Sequence, residues 1–92
     1  MGILIRISPV LREHLMIPGT VEVKGNTVRE CLEDLIKQYP ELQGWLYGQR
    51  EMLQVLIGIN NEEIMPLKSA YRSVRYLNPK DEIRILAILS GG

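Results

Sequence analysis

The residues whose types and spacing could do chemistry gather at the end of the chain, where the apolar run Ile83-Arg84-Ile85-Leu86-Ala87-Ile88 leads into Leu89-Ser90-Gly91-Gly92. The reacting group there is the Gly92 carboxylate. A carboxylate is a poor electrophile; it reacts with a nucleophile once it carries a leaving group and the attacking atom is held in near-attack geometry. A terminal glycine has no Cβ to obstruct that approach, and a second glycine adopts backbone angles closed to other residues while it threads a narrow channel. At an extended rise of about 3.3–3.6 Å per residue, residues 89–92 carry the carboxylate roughly 13–14 Å beyond the body, far enough to enter a partner's pocket. The other reading of two terminal glycines is a frayed end with no task.

The remaining chemistry-bearing residues assemble no reactive centre. Cys31 is the sole cysteine, which makes an intrachain disulfide impossible and a reducing, cytoplasmic setting the simpler expectation. It lies beside an apolar helical stripe and reads as a small core hydrophobe rather than a reactive thiol. His14 sits in a polar stretch without a second candidate ligand, so neither a metal site nor a nucleophilic dyad follows. Trp45 and Tyr47 read as packing residues. Eleven Lys and Arg balance eleven Asp and Glu, which removes the electrostatic footprint of a nucleic-acid binder. Near the start, Arg6 interrupts the apolar run and occupies the position where a myristoylation motif needs Ser or Thr, so no membrane association is expected. A basic bias in the last third, Lys68, Arg72, Arg75, Lys80 and Arg84, fits either a solvated face balanced by Asp81 and Glu82 or a face that docks an acidic partner.

Several elements must position the tail. With 46% hydrophobic and 24% charged residues, the 92-residue chain is expected to form one domain, residues 1–92, with 89–92 as an extended tail. Ile3 to Ile7 and Thr20 to Lys24 alternate apolar and polar residues, the period of half-buried strands, and suit an antiparallel pair joined by a long polar loop that starts at Pro9. Thr27 and Glu30 form a capping box, so a helix begins at Val28. Its stripe Val28, Leu32, Leu35, Ile36 and Tyr39 has the 3.6-residue period, and Pro40 marks its stop. Leu42, Trp45, Leu46 and Leu53 are candidates for a second short helix, interrupted by Gly44 and Gly48. Val55 to Ile59, Asn60-Asn61 and Glu63 to Met65 read as a hairpin closed by Pro66. Leu67 to Leu77 fits a turn of helix or an inward-packing loop, and Asn78-Pro79-Lys80-Asp81 is a turn before the last strand. The sum is an α+β domain, a mixed sheet of four to five strands with one main helix across one face. Ile3, Ile5, Ile7, Ile83, Ile85 and Ala87 are expected to face that helix. Leu4, Leu56, Leu86 and Ile88 then point the other way, either as a partner-docking patch or as a face covered by the Leu67 to Leu77 segment.

The element order, the capped helix after two strands, the Val55-Leu56-Ile57-Gly58-Ile59-Asn60-Asn61 hairpin, the Asp81-Glu82-Ile83 start of the last strand and the terminal Ser90-Gly91-Gly92 together resemble the ubiquitin-like β-grasp sulfur carriers. The small subunit of molybdopterin synthase and its thiamine-pathway counterpart are the relatives in view. The chain carries Lys80-Asp81 where family members commonly have Gly-Asp, and Ala87-Ile88-Leu89 where molybdopterin-type members often have prolines. The resemblance implies that a ubiquitin-activating-type enzyme, using ATP and Mg, adenylates the Gly92 carboxylate and that sulfur then replaces one oxygen to give a thiocarboxylate. It implies no cofactor bound by this chain alone, no catalysis by the chain itself, and a partner surface of Leu4, Leu56, Leu86, Ile88, Leu89, Ser90 and Gly91. The sulfur would go to molybdopterin, with the large subunit of the synthase as a further partner, or to thiamine. The same activated Gly92 would also serve a protein modifier that forms isopeptide bonds to lysines.

Overall fold

The computed structural model describes residues 2–48 and 53–89. Five strands form one mixed sheet in the order β2-β1-β5-β3-β4: β1 (Ile3–Ile7), β2 (Thr20–Val23), β3 (Leu53–Ile59), β4 (Glu63–Pro66) and β5 (Glu82–Leu89). β5 lies in the interior of the sheet, parallel to β1 and antiparallel to β3, with Ile85 opposite both Ile7 and Ile57. Because side chains alternate along a strand, these registers put Ile3, Ile5, Ile7, Val21, Val23, Ile57, Ile59, Ile83, Ile85 and Ala87 on one face, and all ten are buried there. The arrangement is a β-grasp, as the sequence predicts.

The main helix, α2 (Val28–Gln38), closes that face with Val28, Cys31, Leu32 and Leu35. Thr27 caps it by accepting the Glu30 N–H at 3.2 Å, but the Glu30 carboxylate reaches one residue beyond the expected cap and accepts the Asn26 N–H at 2.7 Å. Gly25 has to be small here, because a Cβ on it would stand 2.7 Å from the Cys31 nitrogen. Three shorter helices share the helical side: α1 (Pro9–His14), α3 (Leu42–Leu46) and α4 (Leu67–Arg72). Their buried residues Leu11, Leu42, Leu46 and Ala70 join the same core. The polar stretch after β1 is thus a helix rather than a loop: Ser8 accepts the Val10 N–H as N-cap, and Pro9 occupies a first-turn position where a missing N–H costs nothing. Leu53 is not part of a second helix; it begins β3 and pairs with Leu89. The β3 strand is therefore two residues longer at its start than the alternation alone indicates.

A polar knot fixes where β5 starts. In the β3–β4 hairpin, Asn60 and Asn61 take φ values of 53° and 59°, a left-handed turn that asparagine tolerates. Asn60 donates through Nδ2 to Asp81 Oδ1 at 2.7 Å and accepts the Glu82 N–H on Oδ1 at 2.8 Å, while its own N–H donates to the Glu82 carbonyl at 3.0 Å. The Asp81 Oδ2 accepts the Asn78 N–H at 2.7 Å across the turn that Pro79 shapes. The Asn78 N–H, and after it the Asn60 amide, hold the Asp81 carboxyl below its ordinary value.

A depressed acid stabilises the fold above its unfolded-state pKa of about 3.9 and loses that contribution as pH falls through the folded value. Asp81→Ala is therefore expected to lower the unfolding free energy by about 1–2 kcal/mol at pH 7, with the deficit shrinking below about pH 4. Denaturant titrations at pH 7 and pH 3 measure it, and equal stability of the two proteins at pH 7 would show that the knot does not hold the strand.

Candidate functional site

The strand that leads to the tail has two dissimilar faces. Its odd-numbered residues are core. Its even-numbered residues, Glu82, Arg84, Leu86 and Ile88, lie on the sheet face that none of the described helices covers. The registers complete that outer face with Leu4 and Arg6 from β1, Leu56 and Gly58 from β3, and Ile64 and Pro66 from β4. The Leu67 to Leu77 segment does not cover it: Leu67, Ala70, Tyr71 and Leu77 pack into the core on the helical side. Leu86 stands directly opposite Leu56, Leu56 opposite Pro66, and Ile88 opposite Gln54. Ile88 is 48% exposed, and Ile64, a residue the sequence reading leaves out of the patch, is 64% exposed. Only the β3–β4 register could have revealed Ile64, since its own strand is four residues long.

Leu4 shares the face but not the patch. It pairs with Glu82 at the start of β5, four residues before Leu86, which at about 3.3 Å per residue is roughly 13 Å along the strand. Charged residues fill the space between them: Arg6 Nε lies 2.7 Å from Glu82 Oε1, and Arg84 Nε lies 3.7 Å from the same oxygen. The parallel pairing of β1 with β5 causes the separation, because it aligns the starts of both strands at one end of the sheet. Leu4 is thus an exposed residue at one end, and Leu56, Leu86 and Ile88 form an apolar cluster at the other.

That cluster lies at the end where β5 leads into the tail. Leu89 is the last residue of β5, opposite Leu53, so the sheet includes the residue at which the tail was expected to begin. Ser90, Gly91 and Gly92 lie outside the described residues.

No acid–base machinery appears elsewhere among the described residues. Burial, reinforced by the charges of Glu30 and Asp34, pushes the Cys31 thiol up to about 11, which keeps it protonated and inert. His14 stacks on Trp45 with ring centroids 5.0 Å apart. On the helical side, a groove of about 870 Å³ is lined by Ile36, Leu46, Tyr47, Leu67, Tyr71 and Arg72 among others. Tyr47 meets Tyr71 edge-on at 5.7 Å, and burial, followed by Tyr71, raises its phenol to about 12, so it supplies no base there. No group of three or more His, Cys, Asp or Glu residues suited to a metal ion occurs among the described residues. No described helix is long and apolar enough to cross a membrane.

No protein-family model matches the sequence, and no curated protein matches it. Among solved structures, a chain of the Amycolatopsis orientalis BexX/CysO complex aligns with 99% of this chain and 100% of its own length, at a TM-score of 0.68 and 22% identity. At that identity the likeness shows the fold alone, shared over 99% of this chain.

The two faces make opposite predictions for the same substitution. A buried charge without a partner costs several kcal/mol, whereas a charge on a wet face is tolerated. Ile85→Asp is expected to abolish folding, Ile88→Asp at its exposed position to lose no more than about 1 kcal/mol, and Leu86→Asp, which is half-buried, to fall between them. Chemical denaturation separates the outcomes, and unfolding of all three variants would mean that the faces are reversed.

Proposed function

We propose that this chain is a sulfur carrier. Its Gly92 carboxylate attacks the α-phosphate of ATP in the active site of a ubiquitin-activating-type enzyme, pyrophosphate leaves, and an acyl-adenylate forms. A sulfur nucleophile at the level of sulfide then attacks the acyl carbon, AMP departs, and the product is a thiocarboxylate on Gly92. The chain supplies the reacting group and the partner supplies the catalysis. The observation that carries this reading is that β5, paired with β1 over Glu82–Ile85 and with β3 as far as Leu89, is followed in sequence by Ser90-Gly91-Gly92. Such a strand is a rigid mount, and two glycines are the residues that let a backbone pass through a narrow channel.

The β-grasp fold supports the reading, as does the capture of a protein of the same fold in a BexX/CysO complex. The face next to the tail fits partner docking: Leu56, Leu86 and Ile88 give an apolar surface beside the path that the carboxylate must take. We assign the sulfur to molybdopterin assembly, with the large subunit of molybdopterin synthase as the receiving partner.

Incubation with an adenylating enzyme of this type, ATP, Mg and a sulfur source is expected to raise the intact mass by about 16 Da, the oxygen-to-sulfur difference of an exchange that proceeds through the activated acyl group. A chain lacking Gly92, or carrying one added alanine, is expected to show no shift. Retention of cellular function by the alanine-extended chain would overturn the proposal. Loss of molybdenum-enzyme activity in a deletion strain supports the molybdopterin assignment; thiamine auxotrophy, or lysine-linked conjugates that require Gly92, would replace it.

Leu86→Asp and Ile88→Asp, on the same reasoning, are expected to weaken binding to that enzyme by at least about tenfold, measured by titration calorimetry. Unchanged affinity in both would remove the patch from the interface.

A further inference from the structure

The outer face is apolar near the tail, yet a cation stands at the edge of its apolar cluster. Arg84 is next to Leu86 along β5 and opposite Gly58 on β3. Gly58 places no side chain between Arg84 and Ile64; a Cβ built there would lie 3.7 Å from the Arg84 Cβ and 3.9 Å from Ile64 Cγ1. Arg84 therefore stands at a boundary, with Leu56 and Leu86 one row nearer the tail and Glu82 and Arg6 on its other side. It is also poorly compensated. Its Nε is shielded from solvent and has no hydrogen-bond partner among the described residues. Its nearest carboxylate oxygen, Glu82 Oε1 at 3.7 Å, is already engaged by Arg6 at 2.7 Å. Glu22, the other outer-face acid, lies beyond β1 and accepts the Gly2 N–H at 3.0 Å. One carboxylate thus serves two guanidiniums, and the Arg84 side chain remains 41% exposed.

A partner surface made only of apolar groups would cover this guanidinium without replacing its water, at a cost that cancels much of the gain from burying Leu86 and Ile88. A surface with a carboxylate set among apolar residues meets both requirements. It fills the patch and offers the two outer nitrogens of Arg84 a bidentate acceptor in a site from which the apolar rim excludes water.

We infer that Arg84 is the specificity-determining residue of the outer face, and that the adenylating enzyme presents to it an Asp or Glu side chain surrounded by apolar residues. The inference rests on the carrier reading, since it assigns the occupant of the face beside the tail. Arg84 acts in docking and touches no reacting atom. It governs how much carrier is needed rather than how fast the bound carboxylate reacts.

The test is ATP–pyrophosphate exchange by the adenylating enzyme that thiocarboxylates the wild-type chain, measured against carrier concentration. Arg84→Ala is expected to raise the KM for the carrier about tenfold and Arg84→Glu about a hundredfold, with kcat unchanged. Arg84→Lys, which keeps the charge but loses the fork, is expected to fall between wild type and Arg84→Ala. Raising the salt concentration should increase KM for wild type and leave Arg84→Ala nearly unaffected. Arg72→Glu makes the same change in net charge on the helical side and is expected to leave KM at the wild-type value. Thermal melts of each variant check that the fold is intact. A KM for Arg84→Glu equal to that of wild type, a loss confined to kcat, or an equal effect of Arg72→Glu would overturn the inference while leaving the carrier reading in place. Absence of exchange with the wild-type chain itself would overturn both.

Discussion

The two-sided pairing of β5 is the constraint on which the rest of the molecule depends. β1 holds it in parallel register from one side and β3 in antiparallel register from the other. A slip of one residue would drive Glu82 and Arg84 into the core and expose Ile83, Ile85 and Ala87, which no compensation elsewhere could offset. The register is therefore set twice, by the hydrophobic pattern and by the Asn60–Asp81–Glu82 knot at the strand's start. Once it is fixed, the content of the outer face and the end of the sheet from which the tail departs are fixed with it.

The outer face balances two opposed demands. Apolar residues beside the tail favour association, yet a free chain with a continuous apolar face would also associate with itself. The ion cluster of Arg6, Glu82 and Arg84 interrupts the face and separates Leu4 from Leu86. Its ion pairs add little stability, because exposed pairs are worth at most about 1 kcal/mol. Their effect is on selectivity: they make the face a poor match for itself and for any surface that lacks a complementary charge.

The parts of this architecture that are local in cause were legible in the residues. The alternation of Ile3 to Ile7, the Thr27 cap and the Asn60-Asn61 turn each follow from a few consecutive positions, and each appears where expected. The short helices α1 and α4 were hard to see because each is six residues long and buries a single residue, Leu11 or Ala70, so neither shows a period. Pro9 and Pro66 compound the difficulty, since a proline that ends a strand can also begin a helix. The boundaries of the apolar cluster were not legible at all. Placing Leu4 outside it and Ile64 beside it requires knowing which strands are neighbours and in which direction they run, and that information is spread over the whole chain.

The order of the strands decides when the outer face can form. β5 comes after the other four strands in chain order, yet it fills the gap between β1 and β3. Until it arrives, those two strands lack their common neighbour, and the core lacks Ile83, Ile85 and Ala87. Folding of the sheet thus depends on contacts of long sequence separation. Insertion of β5 completes the core and the outer face in a single step, so a chain cut short before Glu82 has neither the strand nor the cluster of Leu56, Leu86 and Ile88. The topology thereby makes the apolar cluster a property of the completed sheet alone.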